Sequence, residues 1–277
     1  MSANLWIIDA FTPVAFRGNP AAVYLLPKFP DDKKLQLLAA QANLSDTAFV
    51  VHKSASNYDL RWFTPEAEVK LCGHATLATA HVLTQIGKAK TGDVISFNTL
   101  SGILKAKILK EGIELDFPTL AGSAAKPDPA LNALGVEYVA CEKNRDDFLV
   151  EVKDFATLLA IKPDMKKLAK LKARGVIVTT AKNVEGYDFA SRFFAPPIGI
   201  NEDPVTGSAH CFLAPYWAKK LGKTKFHALQ ASRARGVLDV TLAGYRTFIT
   251  GSCVTTIKGE INFSQKPNSK NKKEIFA

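Results

Sequence analysis

The chain carries one chemical device twice. Gly73-His74-Ala75-Thr76 and Gly207-Ser208-Ala209-His210 each open an apolar stretch of helical character directly after an acidic loop, with Glu66 and Glu68 in the first copy and Glu202 and Asp203 in the second. Pro204 and Gly207 bend the second copy tightly, and Ser208 reads as the N-cap of a helix running through residues 211–221. The first amides of a helix have no partner inside it. They present free N–H groups and the positive end of the helix dipole to whatever lies in front. That is a receptor for a carboxylate or phosphate, and Gly73, Gly207 and Ser208 are the residues that would form it.

Other side chains could act beside such a receptor. His74, at a helix start, is held neutral by the dipole and can donate to or orient a substrate; the plainer alternative is a cap histidine facing solvent. Asp46 lies where a helical stretch gives way to an apolar strand. It is either a turn aspartate or a general acid/base whose pKa is raised by burial. Asp203 can bind a substrate amine or hydroxyl, or simply hold the turn before Pro204. Asn19, in Gly18-Asn19-Pro20, offers a side-chain amide or a structural turn. A rival chemistry uses two thiols across a cleft, and Cys72 immediately precedes Gly73. Overlaying the copies on their glycines puts Thr206 opposite Cys72, with Cys211 a helical turn further in, so the thiols read as small buried residues. Cys72-Gly73-His74 and His210-Cys211 lack the paired spacing of structural zinc, and no metal is expected.

The elements that must position these residues are repeated too. Tyr58-Asp59-Leu60-Arg61-Trp62-Phe63-Thr64-Pro65 echoes the stretch from Tyr187 to Pro196 about half a chain later. A duplicated unit of ~130 residues predicts two similar lobes, and an interlobe cleft into which two helix N-termini converge. With 277 residues each lobe can bury its own core. The pattern predicts an α+β fold: in each lobe a mixed, mostly antiparallel sheet around one buried helix. The Ala/Pro/Ser-rich stretch 120–129 is the linker candidate, dividing a lobe at 1–118 from one at 119–277, whose tail can pack back on the first. A Lys-rich helix is expected near 165–173, and residues 264–273 read as a frayed basic tail.

Composition narrows the class. A content of 47% hydrophobic and 22% charged residues is that of an ordinary globular protein. There is no apolar run long enough for a membrane span and no signal-peptide pattern at the start. Four widely spaced cysteines in apolar surroundings suit reduced thiols in a cytoplasm. The net charge of +10 is spread along the chain without a nucleic-acid motif, so it favours attraction of anionic metabolites over nucleic acid or membrane.

Five segments in order resemble the phenazine-biosynthesis PhzF-like isomerase family: Asp9-Ala10-Phe11-Thr12 with Arg17-Gly18-Asn19-Pro20-Ala21-Ala22-Val23, Leu44-Ser45-Asp46-Thr47-Ala48-Phe49-Val50, Arg61-Trp62-Phe63-Thr64-Pro65, Cys72-Gly73-His74-Ala75-Thr76-Leu77-Ala78, and the stretch from Asp203 to His210. The resemblance implies the two-lobed diaminopimelate epimerase fold, a homodimer, no cofactor, and acid–base chemistry in the interlobe cleft. The family's best-known member shifts a hydrogen within a dihydro-hydroxyanthranilate. It also implies that Asp46 transfers the proton, in a place where the family has glutamate. Aspartate is shorter by one carbon–carbon bond, ~1.5 Å, and a displacement of about 1 Å can cost roughly a hundredfold in rate. The expected function is a cofactor-independent isomerase moving a proton within a small carboxylated metabolite. The alternatives are a catalytically weak metabolite-binding protein on the same fold and a two-cysteine epimerase.

Overall fold

In the computed structural model the described residues are 2–262, so the basic stretch 264–273 lies outside them. The first half lays down β1 (Ser2–Ala10), β2 (Asn19–Leu26), α1 (Asp32–Ala42), β3 (Asp46–Ser54), β4 (Asn57–Phe63), β5 (Glu68–Val69), α2 (Gly73–Gln85), β6 (Val94–Thr99), β7 (Gly102–Ile108) and β8 (Ile113–Pro118). The second half continues with β9 (Ser123–Ala124), β10 (Ala140–Lys143), β11 (Asp147–Glu151), α3 (Phe155–Ala160), α4 (Met165–Leu168), β12 (Gly175–Thr180), β13 (Phe189–Ala195) and β14 (Ile200–Asp203). It ends with α5 (Gly207–Leu221), β15 (Lys225–Gln230), β16 (Gly236–Ala243), β17 (Arg246–Gly251) and β18 (Cys253–Asn262).

Both halves use one ladder. In the first, β2 runs parallel to β3, β3 antiparallel to β4, β4 parallel to β6, and β6, β7 and β8 form an antiparallel meander. In the second, β11, β12, β13, β15, β16 and β17 repeat that order with the same senses. The halves are stitched together by β8 against β17 and by β18 against β1, while β9 pairs with β10 inside the second half. None of the described helices is long and apolar enough to cross a membrane.

Each sheet wraps a helix that is buried nearly all round, as an apolar helix without a polar face must be. α2 buries the run from His74 to Ala80 together with Val82 and Leu83, and α5 buries Ala209, Phe212, Leu213 and Trp217 among others. Both contribute to one shared apolar core. A second core (Leu131, Phe148, Val178, Phe194) and a third (Tyr24, Leu35, Phe49) lie on the outer sheet faces.

Two local expectations are corrected. The cap of α5 is Thr206, not Ser208, and it makes no side-chain capping bond. Its hydroxyl is diverted to Asp203 at 2.5 Å, which leaves Ser208 as the second residue of the helix. The Lys-rich helix is only Met165–Leu168. The chain then turns to bury Leu171 and brings the Arg174 amide onto the Asp146 carbonyl at 2.7 Å.

Candidate active site

The loops that precede α2 and α5 are pinned alike. Arg61, in the middle of β4, grips Glu68 with Nε and Nη2, both at 2.7 Å. Arg192, at the equivalent place in β13, grips Glu202 at 2.7 and 2.9 Å. Each glutamate stands five residues before the glycine that starts the following helix. These two-pronged bonds fix where each helix begins. The two starts meet: a Cβ built on Gly73 would lie 3.9 Å from the Gly207 Cα, and one on Gly207 would lie 4.0 Å from the Gly73 Cα. Residues 73 and 207 therefore face one another at the junction of the halves.

Around that junction the other expected residues are linked side chain to side chain. The Asp46 Oδ2 at the start of β3 lies 3.6 Å from the His74 Nε2, just beyond hydrogen-bonding range. The Asn19 Nδ2 donates to the Asp203 Oδ1 at 2.8 Å and the Val205 carbonyl at 2.9 Å, and lies 3.3 Å from the His74 Nδ1. Nε2 is the ring nitrogen that faces the Asp46 carboxyl, and the ring proton is assigned to it. Asp203 is engaged at its other oxygen by the Thr206 hydroxyl. Gln230 ties the same loop, accepting from the Thr206 amide at 2.7 Å and donating to the Asp203 carbonyl at 3.0 Å. Among the described side chains, the buried Asp46 Oδ1 and Asn19 Oδ1 have no hydrogen-bond partner.

Burial sets the protonation states. It raises Asp46 to about 7, helped by the nearby negative Asp203 and opposed by a hydrogen bond from Cys72. It raises Asp203 to about 6 against the bonds from Thr206 and Asn19. It lowers His74 to about 3, so the imidazole is neutral near pH 7. The Cys72 thiol is pushed well above its ordinary value by burial and by Asp46, and Cys211 is pushed up to about 12. Both thiols are therefore protonated at neutral pH and poor proton acceptors. Asp46, Cys72 and His74 place one donor atom each within 4.8 Å of one another, a set that could hold a metal ion at three positions.

All seven expected residues thus gather at one junction. Three further contributors were not anticipated: Gln230, Arg174 and Asp147. Arg174 donates from Nη1 to the Ser208 Oγ at 3.0 Å and pairs through Nε and Nη2 with the fully buried Asp147. In the sequence Arg174 belongs to a lysine-rich run that reads as solvated surface, and nothing local links it to Asp147. Only the parallel pairing of β11 with β12, which sets Asp147 opposite Gly175, brings them together. A separate groove of about 540 Å³ is lined by Arg17, Arg192, Glu202, Ser232, Arg233 and Arg235, and none of the seven residues lines it.

Known proteins share this fold and much of the sequence. The chain is 44% identical over 263 residues to an uncharacterized isomerase of Halalkalibacterium halodurans, covering 94% of this chain and 99% of that one. A crystal structure of a PhzF-family phenazine biosynthesis protein from Enterococcus faecalis superposes with a TM-score of 0.90 at 41% identity, over 95% of this chain and all of that one. A hydroxyproline epimerase from Agrobacterium vitis shares the fold alone, with a TM-score of 0.60 at 12% identity over 94% of this chain and 92% of that one. The fold is thus the α+β, two-lobed type of the diaminopimelate epimerases. The family model described as phenazine biosynthesis-like protein matches residues 8–259, and the chain belongs to that family, PhzC-PhzF.

Proposed function

We propose that the protein is an isomerase that moves a proton within a small carboxylated metabolite, using Asp46 as both base and acid and needing no cofactor. One observation carries this reading: a carboxyl raised to about 7 stands beside a neutral imidazole where two helix N-termini meet. An acid/base group works best when its pKa lies near the working pH. As the carboxylate, Asp46 takes a proton from a substrate carbon. The electron pair left behind shifts along the substrate's conjugated bonds, and the same proton is returned from the carboxylic acid to another carbon on the same face. The amides at 73–74 and 207–208 hold the substrate carboxylate, His74 steers the proton, and Asp203 fixes Asn19 and the loop. The homodimer implied by the resemblance and the cytoplasmic location suggested by the reduced cysteines belong to the same reading. The dimer is checked by a light-scattering mass near twice 30.1 kDa.

The test is proton exchange. Wild-type protein in deuterated water is incubated with a panel of carboxylated metabolites, dihydro-hydroxyanthranilate first, and deuterium uptake is followed by NMR. Replacing Asp46 by Asn should lower uptake at least about a hundredfold; undiminished uptake would remove Asp46 from its role. A second reading, ligand binding with weak catalysis, is favoured by the short aspartate arm. Asp46→Glu separates the two: faster exchange means that reach limits an active isomerase, whereas tight binding with no exchange in either form supports the binding protein.

A further inference from the structure

We propose that Arg174, held by Asp147, positions Ser208 as the donor that fixes the substrate's anionic group at the second half's helix, and so sets which end of the substrate meets Asp46. The proposal rests on the reading of the junction as a carboxylate receptor and adds its polarity. The duplication supplies the argument. Phe49 faces Arg61 across β3 and β4, and Val178 faces Arg192 across β12 and β13. Counting back from these matched pairs, Gly175 stands where Asp46 does, and Arg174 where Ser45 does. On the helices His74 corresponds to Ser208, each following its glycine. In both halves a charged side chain from the start of the inner strand thus reaches the second residue of the central helix. In the first half it is a carboxylate over an imidazole; in the second it is a guanidinium over a hydroxyl. One scaffold presents an acid/base on one side and a fixed cation on the other.

The second side is built to hold its charge in place. Asp147 has a side chain only 1% exposed, and such a carboxylate needs a partner. It takes Nε and Nη2 of Arg174, so Nη1 is the guanidinium nitrogen turned to the site, with the Phe193 ring 5.2 Å from the guanidinium carbon. Because the Ser208 Oγ accepts from Arg174, its own hydrogen is released to donate elsewhere. Beside it lie the first amides of α5, so one hydroxyl, these amides and a nearby positive charge converge on an anion. A lysine could keep the charge but could not hold Asp147 with two bonds and Ser208 with a third.

The probes are 2-aminobenzoate and its neutral counterpart 2-aminobenzamide, with binding measured by calorimetry. Wild type is expected to prefer the carboxylate at least tenfold. Arg174→Gln should reduce that preference to about one by weakening the carboxylate alone, and Arg174→Lys should keep an intermediate preference. With a turned-over substrate, Arg174→Gln should raise KM tenfold or more, whereas Asp46→Asn acts on kcat. If Arg174→Gln does not fold because Asp147 is left unpaired, the Asp147→Asn/Arg174→Gln double variant is measured instead, with the same expectation. An unchanged preference in the folded variant overturns the role of Arg174 and leaves the proton-transfer reading intact. Absence of carboxylate preference in the wild type overturns both.

Discussion

Asp46 concentrates the chemistry and shows how burial can be read as a prediction. Its carboxyl is raised from 3.8 to about 7, so folding favours the protonated form. That contribution to stability is full below pH ~4 and is lost as pH rises through about 7. The Asp46→Asn protein cannot ionise there. Its stability relative to wild type, from urea unfolding, should therefore climb between pH 4 and 8, by an amount bounded at about 4 kcal/mol for a shift of this size; a difference independent of pH would contradict the assigned burial. The exchange rate should follow the same group in the opposite sense. It should fall tenfold per unit below about pH 7 and level off above, because only the carboxylate accepts a proton. The types and motif spacing of Asp46, His74, Asn19 and Asp203 were legible from the chain. The link from Arg174 to Asp147 was not, because it joins residues brought together only by strand pairing across an intervening crossover.

At the level of elements, the helix starts were visible while their caps were not. Gly73 and Gly207 mark where α2 and α5 begin, and an acidic loop precedes each. What the sequence could not disclose is that Thr206 would give its hydroxyl to Asp203 instead of to its own helix. Nor did it disclose that the glutamates serve arginines on the neighbouring strands. β15 alternates exposed Lys225 and His227 with buried Phe226 and Ala228, a strand pattern masked by the lysines at 219, 220 and 223 just before it. The arginine–glutamate forks carry a prediction. The Arg192 and Glu202 side chains are 12% and 22% exposed. Changing Glu202 to Gln should cost on the order of 1–3 kcal/mol in urea unfolding, since a largely buried guanidinium loses its charged partner. It should also weaken carboxylate binding, because the loop leads directly to α5. A loss of stability without any change in binding would separate the fork from the site.

For the whole molecule, the duplication explains both the fold and the position of the site. Two copies of one ladder meet along β8 and β17, and each central helix points its first turn at the other. The last strand among the described residues, β18, closes on β1 through a register running from Cys253 opposite Ala10 to Asn262 opposite Ser2. Truncation after residue 252 would uncover the whole edge of β1, and an exposed apolar edge is prone to pair between chains. Such a protein should aggregate on expression; a monodisperse, fully folded product would show that β18 is dispensable. The repeat itself was legible in the sequence because the same aromatic strand, acidic loop and glycine recur in order. That the tail can return to the first lobe was legible as well; that it joins β1 was not, because no local pattern records which strand a distant one will join. The most direct test of the account is a crystal structure with 2-aminobenzoate bound. The carboxylate is expected against the amides at 207–208 and the Ser208 hydroxyl, with the ring beside Asp46. A ligand seated reproducibly in the arginine-lined groove beside Glu202, with nothing at the meeting point of the two helices, would contradict it.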